Sequence, residues 1–491
     1  MQPGRGPPPR SGDTTMTGTS LPAPLYAPRK KIYPAAVHGR FRRIKWGLLV
    51  VTLGIYYLLP FLRWDRGPNA PDQAVLLDLP ARRFYFFFIE IWPQEFYYVT
   101  GLLVLAAMVL FLMNAVAGRI WCGYLCPQTV WTDLFLAVER RIEGDRRAQM
   151  RAAAGGWSAE RLARAILKHG AWLAIAWWTG GAWVLYFADA PTLVHQLATF
   201  QAPFAAWLWI GILTFTTYLL AGHAREQVCT YMCPWPRIQA SLIDKEALNI
   251  TYRYDRGEPR LSLKKAEQAR AAGAPAGDCV DCGQCVAVCP TGVDIRNGLQ
   301  LSCIQCGLCI DACDAVMTRI GRPPGLIAYD SDLAVRRRQQ GLPTRIRPVR
   351  PRTILYAAMI AVVGSAMLAR LLTRPDLGLH VAHERNPLSV TLSDGAVRNA
   401  YAVRFINKQH RSRRLDLSLE GIPGARLALA GDPAGEALAR EIGPDRTEEV
   451  RVLVTVPPPG PAAASTPLTF VLRDPASGAE ARLADQFSTR R

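Results

Sequence analysis

Residues 279–314 read CVDCGQCVAVCPTGVDIRNGLQLSCIQCGLCIDACD. One motif occurs twice in this stretch: Cys279-x2-Cys282-x2-Cys285-x3-Cys289, followed by Pro290, and Cys303-x2-Cys306-x2-Cys309-x3-Cys313. This is the ligand spacing of a two-cluster bacterial ferredoxin, in which the fourth cysteine of each motif serves the other cluster. One [4Fe-4S] cluster is therefore assigned to Cys279, Cys282, Cys285 and Cys313, and a second to Cys303, Cys306, Cys309 and Cys289. Gly283 and Gly307 sit within the x2 turns, where a missing side chain lets backbone amides approach cluster sulfur. Asp314 stands where a proline is expected after the last cysteine. Two zinc sites of four cysteines are the rival reading, but such sites usually separate their pairs by longer gaps.

The chain has 491 residues, is 50% hydrophobic, carries thirteen tryptophans and has a formal charge of +19. Such a charge fits nucleic acid or a membrane, and the apolar runs decide for the membrane. Five stretches are long and charge-poor enough to span a bilayer: Ile44–Leu62, Phe96–Gly118, Ala171–Ala188, Pro203–Gly222 and Thr353–Leu372. A shorter aromatic run, Phe84–Trp92, contains Glu90 and is expected to lie at the interface or re-enter. Lys and Arg crowd the N-terminal segment, the segment between the second and third spans and the one before the last span, whereas Asp189–Ala202 has none. By the positive-inside rule the N-terminus is cytoplasmic, the C-terminus is periplasmic and all twelve cysteines face the reducing cytosol. Structural disulfides are improbable there. No cleavable signal peptide is evident, and Arg42-Arg43 is read as positive-inside anchoring rather than a twin-arginine signal.

The expected organisation has a disordered, basic N-terminus at 1–43, four spans within 44–222 with a loop at 119–170, and a connection at 223–277. A ferredoxin-like domain at 278–320, a basic linker at 321–352 and a fifth span at 353–373 follow. Beyond 380, alternating segments such as Leu388–Leu392, Tyr401–Asn407, Leu415–Leu419 and Val450–Val456 predict a β-sandwich to 491. Between Glu139 and Lys168 the charged, Ala-rich sequence predicts an amphipathic surface helix.

The four remaining cysteines form Cys122-x3-Cys126-Pro127 and Cys229-x3-Cys233-Pro234, each just after an apolar run. Ala117-Gly118 and Ala221-Gly222 mark an imperfect repeat whose gaps to the thiols differ by three residues. On a helix this spacing puts both sulfurs on one face, with the proline ending or kinking the helix beyond them. Four such thiolates suit Cu(I), a further iron–sulfur cluster or a dithiol/disulfide cycle; filling space in a core is the plain alternative. Trp121, Trp131 and Trp235 read as interface anchors. No histidine lies mid-span, which argues against a transmembrane haem; His169 and His223 read as surface residues or as supplements to the thiols. Glu90 is a buried proton or ion site if its segment enters the membrane, and otherwise an interfacial carboxylate.

Long segments resemble the cytochrome c oxidase accessory family called CcoG, FixG or RdxA: Leu25–Pro34, Phe41–Trp46, Pro93–Tyr98, Trp121–Trp131, Arg385–Leu388 and Arg398–Tyr401. The resemblance implies a C-terminal immunoglobulin-like domain, a place in the assembly of cbb-type oxidase, and reduction of Cu(II) to Cu(I) for its copper centre. It implies that Cys122, Cys126, Cys229 and Cys233 bind or reduce copper while the ferredoxin cysteines relay electrons. Implied partners are oxidase assembly factors and copper-delivery proteins; the electron donor stays open, and no nucleic acid is expected. The main rival is a quinol-linked relay to a periplasmic reductase, similar to NapH or NosR proteins. A third reading is a non-enzymatic metal-holding scaffold.

Overall fold

A computed structural model describes residues 31–489 except 69, 157, 430–434, 436 and 462. The expected disorder over 1–30 and the resemblance over 25–30 fall outside the described residues. The chain begins with α1 (Arg40–Leu58) and a three-stranded antiparallel sheet, β1 (Val75–Asp78), β2 (Arg83–Phe86) and β3 (Ile89–Ile91). Helices α2 (Tyr97–Ala117), α3 (Ile120–Tyr124), α4 (Pro127–Glu143), α5 (Arg146–Ala154), α6 (Ala159–Val184), α7 (Ala190–Ala198) and α8 (Phe204–Thr217) follow. Two π-helical turns, Tyr218–Ala224 and Val228–Met232, continue from α8 and lead into α9 (Trp235–Leu242).

Among the described residues, four helical stretches are long and apolar enough to cross a membrane: Arg40–Phe61, Pro93–Ala117, Phe204–Ala224 and Pro351–Leu372. The third expected span, Ala171–Ala188, is helical only to Val184 and is the C-terminal part of α6. The predicted surface helix is its charged N-terminal part, capped where the Ser158 hydroxyl accepts from Arg161 N–H at 3.2 Å, together with α5. The aromatic run Phe84–Trp92 does not form a membrane-spanning helix. It forms β2 and β3, paired Phe84 to Ile91, because its alternation suits a half-buried sheet and Phe87, at φ 52°, closes the turn.

The ferredoxin module is clasped by β4 (Asn249–Tyr252) and β5 (Ile327–Asp330), antiparallel partners that bring its two ends together. Between them run α10 (Tyr254–Gly257), α11 (Leu263–Ala271), α12 (Gln284–Ala287) and α13 (Leu308–Arg319). Helix α14 (Asp332–Gln339) leads to α15 (Pro351–Leu372), whose start is clamped by Arg350, paired to Asp244 at 2.6 Å and donating to the Ala115 carbonyl. Helix α15 packs along α2 so closely that a Cβ at Gly101 would run into Met367 Sδ.

The remaining chain is a β-sandwich of β6 (Leu377–His383), β7 (Val390–Thr391), β8 (Val397–Asn407), β9 (Arg413–Glu420), β10 (Arg426–Leu429), β11 (Ala437–Ile442), β12 (Arg446–Val456), β13 (Ser465–Arg473) and β14 (Glu480–Ser488). One sheet runs β10-β12-β8-β6 with β7 on β8, the other β11-β9-β13-β14. Tyr401, Phe405, Leu417, Val454, Phe470 and Phe487 fill the space between them. The predicted strand Leu388–Leu392 is reduced to two residues, while the other three expected strands extend beyond their predicted bounds.

The sandwich docks on the β1–β3 hairpin sheet at the N-terminal end of α2. There Arg83 joins Glu90 to Asp445, and Lys408 meets Glu95 at 2.6 Å. The cysteine motifs lie at the other end of α2, which at 21 residues is about 32 Å long. Sandwich and ferredoxin module thus occupy opposite ends of the helical bundle.

Candidate functional site

Both ferredoxin loops have the same backbone. Asp281 and Gly283 bracket Cys282 at φ 53° and 65°; Gln305 and Gly307 bracket Cys306 at 56° and 78°. These paired left-handed residues curl the chain so that successive N–H groups face one concavity, an anion-binding nest. Gly307 is required twice over, since a Cβ there would also lie 2.7 Å from the Phe41 ring. Asp314 accepts from Gly325 N–H at 2.7 Å and so closes the turn after α13, which is why a carboxylate serves where a proline is expected.

Neighbouring thiols in this module act on one another electrostatically. The charge of Cys313 is felt against those of Cys285, Cys279 and Cys282. Cys309 faces Cys306, Cys303, Cys289 and Cys285, and these five thiols line one cavity together with Ile250 and Ile304. Cys289 Sγ also accepts from Val293 N–H at 3.3 Å, the kind of donor that tunes a cluster's potential. Burial pushes Cys285 up to about 11 and Cys303 and Cys313 up to about 12, so without a cationic partner these thiols stay protonated. Eight soft donors in two groups, each around a nest, fit two [4Fe-4S] clusters.

The Cys-x3-Cys-Pro motifs do not lie on continuous helices. Cys122 is in the short α3, while Cys126 is extended at φ −62°, ψ 125°, and Pro127 begins α4. Cys229 is in a π-helical turn, Cys233 is extended at φ −79°, ψ 123°, and Pro234 precedes α9. The reason is steric: proline drives the residue before it out of the helical region and is itself welcome at a helix start. Each second cysteine donates its N–H five residues back, Cys126 to Trp121 O at 2.9 Å and Cys233 to Val228 O at 2.8 Å.

The repeat also needs re-registering. Helix α2 ends at Gly118 (φ 55°, ψ −126°), and its counterpart is Arg225 (φ 44°, ψ −114°), not Gly222. Each reversal lies four residues before the first thiol, so the two copies match without a gap; the π-helical turn Tyr218–Ala224 absorbs the apparent excess. Arginine at positive φ is strained. It is held by Nε donation to Gly222 O at 2.7 Å and by a buried pair with Glu139.

The two copies converge. Cys122 interacts with Cys126, Cys229 and Cys233, and burial followed by these neighbours pushes both Cys122 and Cys229 up to about 12. Cys122 and Cys229 pack against a buried cluster of Val288, Ile304, Cys306, Leu308 and Ala312, which includes the second ferredoxin loop. A Cβ at Gly123 would lie 2.8 Å from Ile304 O, so only glycine admits this approach. Among the described residues, no three His, Cys, Asp or Glu side chains meet at one point suited to a single ion.

Several residues that build the site carry no motif. Arg119, 2% exposed, donates to Leu301 O, to Cys303 O at 3.4 Å and to Pro236 O at 2.8 Å, while its own N–H donates to Gln305 Oε1 at 2.7 Å. It thus ties the first thiol repeat to the second and to the cluster loop. Asp133 is buried between Arg42, at 2.8 Å, and Lys45, at 3.8 Å, so these two basic residues are internal partners rather than free anchors. A lone carboxylate in the apolar run Val130–Leu136 is the available signal. Asp311 accepts from Phe41 N–H at 3.1 Å and Arg42 N–H at 2.8 Å, seating the start of α1 on α13. Trp131 and Trp235 also pack between helices: Trp131 donates to Thr179 Oγ1 at 3.1 Å, and Trp235 stacks on Phe111 at 6.1 Å.

A 4Fe-4S dicluster domain model matches residues 224–332, a 4Fe-4S binding domain model matches 99–143, and a model of the IG-like fold at the C-terminus of FixG matches 367–490. The nitrogen fixation protein FixG of Rhizobium meliloti is 50% identical, over 94% of this chain and 93% of its own length. Protein RdxA of Cereibacter sphaeroides is 52% identical, over 92% of this chain and 93% of its own. A crystal structure of a FixG-related protein from Vibrio parahaemolyticus covers 24% of this chain and 99% of its own, at 18% identity and a TM-score of 0.21. With its repeated thiol motifs, its iron–sulfur domains and its C-terminal sandwich, the chain belongs to the FixG/RdxA family.

Proposed function

We propose that this protein is a five-span electron carrier of the bacterial inner membrane, acting in cbb-type cytochrome c oxidase assembly by reducing Cu(II) to Cu(I). The observation that carries the reading is the packing of Cys122 and Cys229 directly on the Cys306 loop. When bound, [4Fe-4S] clusters supply single electrons, and Cu(II) to Cu(I) needs one. Cys279, Cys282, Cys285 and Cys313 would hold one cluster and Cys303, Cys306, Cys309 and Cys289 the other.

Copper is the substrate. Cys122, Cys126, Cys229 and Cys233 would release their protons to water on binding it, and thiolates favour the softer Cu(I) over Cu(II). Because the four sulfurs do not converge on one point, one thiol pair holds the ion or the two pairs close upon it. Arg119 fixes the distance between thiols and loop through its carbonyl bonds. Ferredoxin module and sandwich at opposite ends of α2 support a topology in which the clusters face the cytoplasm and the sandwich the periplasm, the orientation that the basic segments favour. There the sandwich would meet assembly factors and copper-delivery proteins.

The test is anaerobic. Dithionite-reduced protein is mixed with Cu(II) while cluster absorbance and the Cu(II) EPR signal are followed. Cluster reoxidation matched by Cu(II) loss supports the reading, and indifference to copper sinks it.

A further inference from the structure

A second cluster of reactive side chains stands outside the thiol site, where α4, α6 and the turn after α8 meet. His169 and His223 stack at 5.7 Å with planes 11° apart. The Tyr218 hydroxyl lies 2.9 Å from His169 Nδ1, and its ring is 5.0 Å from that of His223. Beneath them lies Trp172, buried, edge-on to His169 at 5.2 Å and to His223 at 6.1 Å, and itself stacked on Phe135. Charged groups ring the stack: Lys168 paired to Glu143 at 2.7 Å, and Arg225 paired to Glu139, whose Oε1 is buried without a partner.

The arrangement is poor for a metal. Lone pairs of imidazoles lie in the ring planes, and in two stacked rings they run side by side without meeting. It is well made for a flat, redox-active ring that must lose protons. His223 is exposed at the end of an apolar stretch, and Phe215 and Leu219, 64% and 41% exposed, lead along that stretch towards it. A molecule dissolved in the bilayer arrives there by that route. Four residues beyond Arg225 is Cys229, packed on the second ferredoxin loop.

We infer that the His169–Tyr218–His223 stack is a hydroquinone-oxidising site through which electrons enter the protein. The inference rests on the electron-transfer reading above and names its donor. A membrane hydroquinone gives up two electrons and two protons and leaves as the quinone. When bound by the ferredoxin cysteines, the two [4Fe-4S] clusters would take up the two electrons, one each. With Nδ1 of His169 unprotonated, Tyr218 accepts the first proton as its own moves to that nitrogen. His223 takes the second. Trp172 and Phe135 give the ring stack a rigid floor, and Arg225, paired to Glu139, lies over the Trp172 ring at 5.3 Å and lines one cavity with Cys229.

The experiment uses the full chain, cluster-loaded and oxidised, in lipid nanodiscs under anaerobic conditions. Decylubiquinol is added and cluster bleaching is followed, with dithionite as the reference reductant. Wild type is expected to bleach with both. Tyr218→Phe and His169→Gln are expected to bleach with the quinol about a hundredfold more slowly. Their iron content and dithionite rates should be unchanged, which separates a lost proton acceptor from a misfolded chain. Wild type that dithionite bleaches and the quinol does not overturns the inference. So do variants that match wild type with the quinol. Dithionite-reduced variants should still be reoxidised by Cu(II), so a failure of the copper reading is seen separately.

Discussion

In the ferredoxin module the two motif copies are neighbours in sequence, with 13 residues between Cys289 and Cys303, so a short loop brings them together. In the Cys-x3-Cys-Pro pair the copies hang from the ends of α2 and α8 and meet only because the helices carrying them pack in one bundle. Both pairs use a left-handed residue to turn the chain before a thiol, Asp281 and Gln305 in one, Gly118 and Arg225 in the other. The difference is in what holds the copies together. The ferredoxin loops are self-sufficient once metal is present. The other pair depends on Arg119, Gly123 and their contacts with the cluster loop.

The comparison can be broken at its strongest point by Cys306→Ser. That change should remove the second cluster alone, lowering bound iron to about half while the first cluster's EPR signal persists. Loss of all iron would mean that the two sets are not independent. Next, the Cys122→Ser/Cys229→Ser double variant should keep its iron and lose copper-driven reoxidation, by about a hundredfold or more. If iron falls as well, these thiols hold a cluster of their own, in keeping with the 4Fe-4S binding domain matched at 99–143.

Arg119→Ala should cost about 3 kcal/mol, since it strips hydrogen bonds from several buried carbonyls. Its signature in denaturant melts is early loss of the thiol site while the β-sandwich persists. Gly123→Ala should cost about 2 kcal/mol by forcing the Ile304 carbonyl away, and should slow copper-driven reoxidation without changing iron content.

The smallest effect tests the other end of the molecule. Burial, and then Asp445, pushes Glu90 up to about 7. The folded protein therefore keeps a proton that the unfolded chain releases near 4.5. Stability of the docked sandwich is then fully present below the lower value and falls as pH rises towards the upper one. Over the last pH unit below 7 the loss should be about 1 kcal/mol in the wild type and close to nil in Glu90→Gln. Thermal melts across that range decide it.

Sequence is most informative where chemistry fixes spacing. Ligand geometry dictates the ferredoxin motifs, and alternation dictates strands such as β8 and β12, so both are legible. It misleads where a local rule meets a stronger one. The four-residue period of Cys126 and Cys233 points to a helix, but the following prolines make them extended. Glycine is the expected residue at a positive φ, which points to Ala-Gly as the marker of the repeat, yet the second copy puts an arginine there. The aromatics of Phe84–Trp92 do not by themselves announce a sheet, and the pairing with β1 that completes it lies outside that segment. Arg42, Lys45 and Arg119 look like surface charge because their carboxylate and carbonyl partners are distant in the chain.

The seating of α1 on Asp311 orders the protein's birth. Arg42 is made 269 residues before the carboxylate that receives its N–H. At about 5–20 residues per second the ribosome needs roughly 15–55 s to span that gap. Throughout that interval the first helix exists while its landing place does not. The helical part must therefore wait, open at one end, for the ferredoxin module to be synthesised and to close it.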